Sequence, residues 1–360
     1  MEKKLRIGFV GCGAIANHKH LPALKKIPEV EVVAFCDIIE ERAIQTAKEF
    51  GTEDAKTYVD YKELLKDETI DVVHVCTPNR SHSFISVDAL HAGKHVMCEK
   101  PMAINSKEAK AMVDAAKESG KKLTIGYQSR FRKDSQYLKT CCENDELGEI
   151  YFAKAHALRR RAVPTWGVFL NEYEQGGGPL IDIGTHALDL TLWMMNNYEP
   201  KMVVGSVYKK LGKQTGTANA WGDWDVEKYT VEDSAFGYIV MKNGATIVLE
   251  SSWALNTLDV GEAATSLCGT KAGADMKDGL RLNYVKNNLQ VVEKPNLEVG
   301  GVAFFDGKSA DPAAIEARCW IDSILEDKEV VTKPEQAFVV TQILEAIYES
   351  GKTGLPVIFD

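Results

Sequence analysis

Short apolar segments alternate with helical segments over the first 126 residues, and this alternation restricts the possible fold more than any other feature of the chain. The apolar segments are rich in Val, Ile and Phe and span residues 5–10, 30–36, 71–76, 95–98 and 123–126. Apolar residues at helical spacing fill the intervals, over residues 19–27, 40–50, 61–65, 81–91 and 106–119. Strands that alternate with helices predict a doubly wound parallel sheet of the α/β class.

The pattern changes after residue 127, where the apolar segments become longer or more regularly alternating. Strands are predicted at 150–158, 202–208, 234–241, 245–252 and 289–292, and Asn243-Gly244 has the composition of a hairpin turn. Helices are predicted at 135–142, 181–195, 313–325 and 335–349. We therefore expect two abutting domains, 1–126 and 127–360, the second an α+β domain with a mostly antiparallel sheet. A ligand site is expected between them.

Charge and cysteine content narrow the classes of partner. The 43 basic and 52 acidic residues give a net charge of 43 − 52 = −9, which disfavours nucleic acid and anionic membrane as partners. A small-molecule substrate is the default expectation. None of the eight cysteines forms a C-x-x-C pair, which favours free thiols and a cytoplasmic location. No metal site is predicted, because H-E-x-x-H is absent and no third ligand has suitable spacing.

The first predicted strand runs into Gly11-Cys12-Gly13-Ala14-Ile15-Ala16, a G-x-G-x-x-A motif at a strand-to-helix turn. Gly11 permits the tight turn, Gly13 lets backbone amides approach a pyrophosphate, and Ala16 lets helix and strand pack closely. The motif predicts a Rossmann dinucleotide-binding domain, although a turn of small residues without a ligand is the alternative.

Asp37 ends the second predicted strand, 21 residues after Ala16. A carboxylate there accepts hydrogen bonds from ribose hydroxyls and repels a 2′-phosphate, which favours NAD over NADP. Ile38 and Arg42 follow it and are expected near the same ribose. Arg42 could weaken the preference for NAD, or be a solvated partner of neighbouring glutamates.

Polar clusters follow the next three predicted strands, at the sheet edge where open parallel sheets bind ligands. They are Thr77-Pro78-Asn79 with His82, Glu99-Lys100-Pro101, and Gln128-Ser129-Arg130. Lys100 follows a buried strand, where desolvation lowers a lysine pKa and a fixed ammonium stabilises a developing alkoxide. Alternatively, these clusters cap loops and Lys100 is a surface partner of Glu99.

A glycine-rich segment in the second half, Gly176 to His186, is predicted to be a flexible loop that runs into a helix. Asp182 and His186 are four residues apart and would share a helix face. A helix N-terminus disfavours the imidazolium and so keeps His186 available as a base. The alternative is that Asp182 is an N-terminal cap and His186 a packed core histidine.

These motifs together resemble the Gfo/Idh/MocA family of nicotinamide-dependent sugar and inositol dehydrogenases, almost from end to end. The matching segments are Gly11 to Ala16, Asp37, Thr77-Pro78-Asn79 with His82, Glu99-Lys100-Pro101, Gly126 to Phe131, Leu147 to Ile150, Gly176 to His186, and Lys333 to Ala337. The resemblance implies a Rossmann domain and a C-terminal domain whose large open sheet forms a homodimer or homotetramer interface. It also implies a cis Lys100–Pro101 peptide bond.

Site roles follow from the same resemblance. Lys100 would bind the reacting hydroxyl, Asp182 would orient it, and His186 would be the general base. Thr77, Pro78, Asn79, His82, Glu99 and Gln128 would line the cofactor together with the glycine turn. The expected reaction is hydride transfer between a secondary hydroxyl of a sugar, glycoside or cyclitol and NAD. The alternatives are an NAD-dependent glycoside hydrolase that oxidises its substrate transiently, and a non-enzymatic regulator.

The segment from Arg159 to Trp166 precedes the glycine loop and is predicted to border the substrate. Trp166 would stack on a sugar or on the nicotinamide, or else pack as a structural aromatic. Arg159 and the two arginines after it would bind a carboxylate or phosphate of the substrate, or form a solvated face. Residues 212–224, with Trp221 and Trp224, would close the pocket or reach a neighbouring subunit.

Overall fold

The computed structural model describes residues 4–297 and 311–360. The chain divides into two compact units. Described residues 4–128 and 311–338 form the first unit, and 129–297 and 339–360 form the second.

The first unit is built on a six-stranded parallel sheet, as the alternating pattern predicted. Its strand order is β3-β2-β1-β4-β5-β6, and every neighbouring pair is parallel. The strands are β1 (Leu5–Val10), β2 (Val30–Cys36), β3 (Lys56–Tyr58), β4 (Val72–Val75), β5 (His95–Cys98) and β6 (Leu123–Ile125). Only the edge strand β3 was not predicted, because its three residues are polar and exposed or half-buried.

Five helices connect these strands and largely match the predicted segments. They are α1 (Leu21–Leu24), α2 (Glu40–Phe50), α3 (Tyr61–Leu65), α4 (His82–His91) and α5 (Ser106–Ser119). The segment predicted at 19–27 instead starts as a π-helical turn, Ala16–His20, that continues into α1. Asn105 caps α5 by accepting the amide N–H of Glu108, and Gly120 ends it in the left-handed region.

The remaining helices and strands follow in chain order and confirm the mixed character of the second half. The helices are α6 (Lys133–Glu143), α7 (Glu172–Gln175), α8 (Thr185–Met195), α9 (Pro312–Leu325) and α10 (Pro334–Thr353), with a π-helical turn at Leu180–Gly184 before α8. The strands are β7 (Ile150–Leu158), β8 (Pro200–Tyr208), β9 (Ser234–Met241), β10 (Thr246–Ser252), β11 (Gly261–Gly269), β12 (Ala272–Asp275), β13 (Arg281–Lys286), β14 (Leu289–Glu293) and β15 (Val357–Ile358).

The second unit is built on a nine-stranded sheet with the order β14-β13-β12-β11-β7-β10-β9-β8-β15. All its pairs are antiparallel except β7–β10, which is parallel. Asn243-Gly244 forms the predicted turn between β9 and β10, and the Asn243 side chain accepts the amide N–H of Ala245. β11 to β13 were not predicted, because Gly, Ala, Ser and Asn interrupt their apolar alternation.

Helix α9 packs in the first unit although it lies far along the chain. Ala317, Trp320 and Ile321 are buried in the same apolar cluster as Leu21 and Leu24 of α1. The first unit therefore includes residues far beyond the predicted boundary at residue 127. The amphipathic helix α9 packs against α1 and completes the core of this unit.

A buried ion pair stabilises the start of the second unit. Arg130 donates from Nε and Nη2 to the two carboxylate oxygens of Asp189 at 2.9 and 2.6 Å, and both side chains are fully buried. The Arg130 guanidinium also lies 5.4 Å from the ring of Trp193. Arg130, which belongs to the third polar cluster of the sequence, is thus a structural residue.

All eight cysteines lie in the described part of the chain and are free thiols. Burial, with a contribution from Asp37, raises the pKa of Cys12 and of Cys36 to about 12, so both stay protonated at neutral pH. Among residues 4–297 and 311–360, no helix combines the length and apolar character needed to cross a membrane.

Candidate active site

The glycine motif forms the turn after β1. Gly11 has φ +94°, and a Cβ there would lie 2.5 Å from the carbonyl oxygen of Cys76, so the turn requires glycine. Gly13 has the opposite environment: a Cβ at this position would meet no atom within 4 Å. The helical turn begins at the next residue, Ala14. The motif therefore presents an open backbone surface at a helix start, which fits a pyrophosphate.

Asp37 lies beside this turn at the end of β2. Its carboxylate accepts the amide N–H of Cys12 and that of Ile39, each at 2.9 Å, and these bonds fix its orientation. The Ile38 side chain is 91% exposed, and Arg42 is exposed in the first turn of α2. The structure thus brings Asp37 and the glycine turn together, with an uncovered apolar side chain next to the carboxylate.

The polar cluster after β4 is a compact turn. Ser81 donates to the Thr77 hydroxyl at 2.8 Å, and Asn79 is buried. His82 is also buried, and its two ring nitrogens lie 2.8 Å from the carbonyl oxygens of Thr77 and Pro101. His82 therefore links this turn to the Lys100–Pro101 peptide.

Glu99 is the centre of a buried charged network that the sequence did not reveal. Its Oε1 accepts a hydrogen bond from Lys19 Nζ at 2.8 Å and lies 2.7 Å from His20 Nε2, while its Oε2 accepts the Lys100 amide N–H at 3.1 Å. Lys19 also forms an ion pair with Glu316 of α9 at 2.9 Å. The network joins the π-helical turn Ala16–His20, the end of β5 and α9.

The network controls the ionisation of its members. Burial alone would raise the pKa of Glu99, but Lys19 and His20 hold it well below the usual range. Burial opposes the charge of Lys19 too, yet Glu316 and Glu99 raise its pKa above the ordinary value. The partners lie about 80 and 300 residues apart in sequence, so no local spacing signals them.

Lys100 follows this network directly and is half-buried, and its peptide bond to Pro101 is cis, as the family resemblance implied. Gln128, at the end of the first unit, is exposed. Because the backbone of Lys100 is held by Glu99 on one side and by His82 at Pro101 on the other, its ammonium extends from a fixed point.

The glycine-rich segment of the second unit is held by a buried carboxylate. Glu232 accepts the amide N–H groups of Gly178 and Leu180 at 2.8 and 3.1 Å, and the hydroxyl of Tyr348 at 2.8 Å. A Cβ on Gly178 would collide with the Glu232 carbonyl oxygen. The glycines therefore serve close packing, and the expectation of a flexible loop is replaced by that of a segment fixed from two sides. Burial raises the pKa of Glu232, although these hydrogen bonds oppose the rise.

Asp182 and His186 lie on the helical segment that starts at this carboxylate. Asp182 is in the π-helical turn and His186 is in α8, and both are half-buried. The indole Nε1 of Trp253 donates to Asp182 Oδ2 at 3.0 Å. Trp253, Glu232 and Tyr348 are residues that sequence reasoning missed, since each lies more than 45 residues from its partner.

The predicted substrate wall contains aromatic rings and a paired arginine. Arg159 donates to both carboxylate oxygens of Glu262 at 2.6 and 2.5 Å, and its guanidinium lies 5.1 Å from the ring of Trp221. Trp166 lies edge-to-face with Trp221, with ring centroids 5.0 Å apart. Trp224, by contrast, is buried and donates to the Gly212 carbonyl oxygen.

Within residues 4–297 and 311–360, no group of three or more His, Cys, Asp or Glu side chains is arranged to hold a metal ion.

Family models match both units. Residues 5–127 match a model described as an oxidoreductase family with an NAD-binding Rossmann fold. Residues 135–275 match a model described as the GFO/IDH/MocA C-terminal domain.

Individual relatives agree with these matches. D-glucoside 3-dehydrogenase of Escherichia coli K12 is 37% identical over 350 residues, which cover 97% of this chain and 96% of that one. Inositol 2-dehydrogenase of Salmonella typhimurium is 31% identical over 193 residues, 53% of this chain and 55% of that one. Among solved structures, levoglucosan dehydrogenase in complex with NADH and L-sorbose shares the fold, with a TM-score of 0.83, 21% identity and 99% coverage of both chains.

The charged network gives a prediction for stability. Replacing Lys19 with Met leaves two buried glutamates without their shared cation, which should lower the free energy of unfolding at pH 7 by about 3 kcal/mol or more. The pKa of Glu99 is lowered in the folded state, so its contribution is present above the unfolded value of about 4.3 and is lost as pH falls through the folded value. The deficit of Lys19→Met should therefore shrink only as the pH falls below about 4.3.

Urea unfolding at pH 7 and at about pH 3 measures this difference. Lys26→Met, at an exposed position on the same segment, is the matched control and should change the unfolding free energy by less than about 0.5 kcal/mol. An equal deficit for Lys19→Met at both pH values would contradict the role given to Glu99.

Proposed function

Because this chain belongs to the Gfo/Idh/MocA oxidoreductase family, we propose that it oxidises the C3 hydroxyl of a D-glucoside with NAD as the acceptor. The proposal rests on the 37% identity to D-glucoside 3-dehydrogenase across 97% of the chain. Lys100, Asp182 and His186, which the chemistry requires, are all present. The fold alone would not specify this reaction, since one fold supports many activities.

The first unit offers the features that a dinucleotide needs. Gly13 leaves open space where a pyrophosphate would approach the backbone, and the oriented carboxylate of Asp37 would accept the ribose hydroxyls. The exposed Ile38 provides an apolar surface for an adenine ring, and Arg42 lies in the next helical turn. Thr77, Pro78, Asn79 and Gln128 are proposed to complete the binding surface towards the nicotinamide.

The chain's own residues supply position and proton transfer. NAD, when bound, accepts the hydride from the carbinol carbon. Lys100 binds the reacting hydroxyl and stabilises the negative charge that develops on its oxygen. His186 accepts the hydroxyl proton as general base, and Asp182, held by the Trp253 indole, orients the hydroxyl. In the reverse direction, His186 returns the proton to the same oxygen.

The arrangement around Arg159 favours an uncharged substrate. A free arginine would recruit a carboxylate or a sugar phosphate. Here Glu262 binds the Nε–Nη2 edge of the guanidinium and neutralises it, and the Ala162 carbonyl oxygen accepts a further hydrogen bond from Nη1. Arg159 is thus proposed to shape the substrate surface, without binding an anionic group.

Steady-state oxidation followed at ~340 nm, the band of reduced nicotinamide, tests the activity. The wild type should reduce NAD with D-glucosides, and Lys100→Ala should lower kcat about 10²- to 10³-fold because the oxygen charge loses its cation. His186→Asn should lower kcat about 10²- to 10⁴-fold. Both variants should still bind NAD in a fluorescence titration.

Two outcomes would contradict this function. Cleavage of aryl glucosides without net NAD reduction would instead assign the transient-oxidation hydrolase. Undiminished turnover in Lys100→Ala would remove the proposed role of that ammonium.

Cofactor preference depends on the charge of Asp37. Asp37→Asn keeps the size and one amide acceptor but removes the charge that repels a 2′-phosphate. The ratio of kcat/KM with NAD to that with NADP should fall about tenfold or more, because one unit of repulsion over a few ångströms is worth more than about 1 kcal/mol. A ratio that does not change would show that Asp37 has no part in the preference.

The uncovered face of the second unit's sheet supports a homo-oligomer. Val204, Tyr238 and Val248 are adjacent across β8, β9 and β10, and they form an apolar row that is exposed or half-buried. Two or four copies of the chain are proposed to bury this face.

Tyr238→Glu places a charge in the middle of that row and should convert the oligomer into monomers, as measured by light scattering after size-exclusion chromatography. Leu258→Glu, at a highly exposed position outside the strands, is the control and should leave the mass unchanged. A monomeric wild type would refute the proposed interface.

A cytoplasmic location is also proposed, since all eight cysteines are free thiols.

A further inference from the structure

Two tryptophans of the second unit expose large parts of their rings side by side. Trp166 is 51% exposed and Trp221 is 43% exposed, and their ring planes meet at 73° with centroids 5.0 Å apart. They come from separate segments, one after β7 and one between β8 and β9. Together they form an exposed apolar corner of the second unit.

Hydrogen bonds fix this corner in advance. The Asn219 side chain accepts the amide N–H of Val163 at 2.8 Å and donates to the carbonyl oxygen of the same residue at 3.0 Å, as a paired strand would. The Thr165 hydroxyl donates to the Trp221 carbonyl oxygen at 2.9 Å. The two segments are joined on both sides of the rings. A ligand that binds there therefore loses little free energy to the ordering of these side chains.

A line of aromatic rings connects the corner with Asp182. Trp166 lies 5.9 Å from Phe169 and Phe169 lies 6.4 Å from Trp253, centroid to centroid, and the Trp253 indole donates to Asp182. Each step is comparable with the width of a sugar ring. The exposed pair therefore lies within a few sugar-ring widths of Asp182, a separation that the aglycone of a glucoside bound at Asp182 can span.

One edge of the corner is formed by a paired arginine and glutamate. The Arg159 guanidinium stacks on Trp221 and is paired with the carboxylate of Glu262, which remains partly exposed. An aromatic face bordered by a fixed guanidinium and a carboxylate matches a pyranose, which has apolar C–H faces and a rim of hydroxyl groups.

We propose that Trp166, Trp221 and the Arg159–Glu262 pair form a subsite for a second, uncharged pyranose ring. The chain would then act on D-glucosides whose aglycone is itself a sugar, in preference to simple alkyl glucosides. This inference rests on the proposed oxidation of D-glucosides and specifies the class of substrate.

The test compares kcat/KM for a disaccharide with a terminal D-glucosyl residue and for methyl D-glucoside of the same anomeric configuration. The wild type should prefer the disaccharide by about tenfold or more. Trp221→Ala and Trp166→Ala should each reduce this preference roughly three- to tenfold, mainly through the KM for the disaccharide, and Trp→Phe at either position should restore most of it. Tyr151→Ala is the matched control: this tyrosine is 54% exposed at the opposite end of β7 from Arg159, and its loss should not change the ratio.

An aryl glucoside distinguishes the proposed occupant from a purely apolar one. Arg159→Met keeps an apolar contact with Trp221 but loses the polar rim, so it should lower the preference for the disaccharide more than that for 4-nitrophenyl glucoside. Equal effects on both substrates would show that the corner binds any flat ring, which overturns the assignment to a sugar.

The measurements distinguish a wrong assignment of the subsite from a wrong assignment of the activity. Oxidation of both sugars at equal kcat/KM, unaffected by Trp221→Ala, would overturn the subsite while leaving the dehydrogenase intact. If no glucoside is oxidised, the activity is wrong, and tryptophan fluorescence decides the subsite. Quenching by the disaccharide that Trp221→Phe reduces would support it, and no response to the disaccharide would overturn it.

Discussion

The buried carboxylate of Glu99 is the constraint on which the first unit depends. A glutamate at the end of a buried strand would be costly if it were alone, and Lys19, His20 and the Lys100 amide compensate that cost. Lys19 also pairs with Glu316, and this ion pair connects α9 with the π-helical turn Ala16–His20. The same set of charges therefore closes the core with a distant helix and fixes the backbone from which Lys100 extends.

A second buried glutamate, Glu232, stabilises the segment of the second unit that carries Asp182 and His186. Glu232 accepts the amides of Gly178 and Leu180 at the start of the segment that carries Asp182 and His186, and Tyr348 of α10 supports it. A carboxylate at a helix start also compensates the helix dipole. Glu99 thus accepts the backbone amide of Lys100 itself, whereas Glu232 holds the segment that leads into Asp182. Both acids are buried, and their partners come from distant parts of the chain rather than from local propensity.

Much of this organisation could be predicted from the sequence, because its signals are local. Neighbouring residues are enough to recognise the glycine turn, Asp37 and the Asn243-Gly244 hairpin. The Rossmann strands are recognised by short apolar segments that alternate with helical ones. The partners of Glu99 and Asp182 could not be predicted, because Lys19, Glu316 and Trp253 meet them only after the chain has folded. For α9, the spacing of apolar residues predicts the helix itself. Its packing against α1 could not be predicted from the sequence. The roles of Lys100, Asp182 and His186 remain predictions that come from the family resemblance.

The three consecutive arginines at 159–161 have different surroundings in the structure from those that the sequence suggests. Three consecutive arginines suggest an anionic ligand, yet Glu262 neutralises Arg159, and Arg161 donates to the Asn256 side chain. Next to Trp221, this leaves aromatic surface bordered by the Arg159–Glu262 pair, which would discriminate by shape and by hydrogen bonding. A charged substrate would have to displace Glu262 from a bidentate ion pair before it gained an equivalent contact, whereas a neutral ring stacks without that cost. The pairing of Arg159 with Glu262 therefore disfavours an anionic group at this arginine and agrees with the proposed uncharged glycoside.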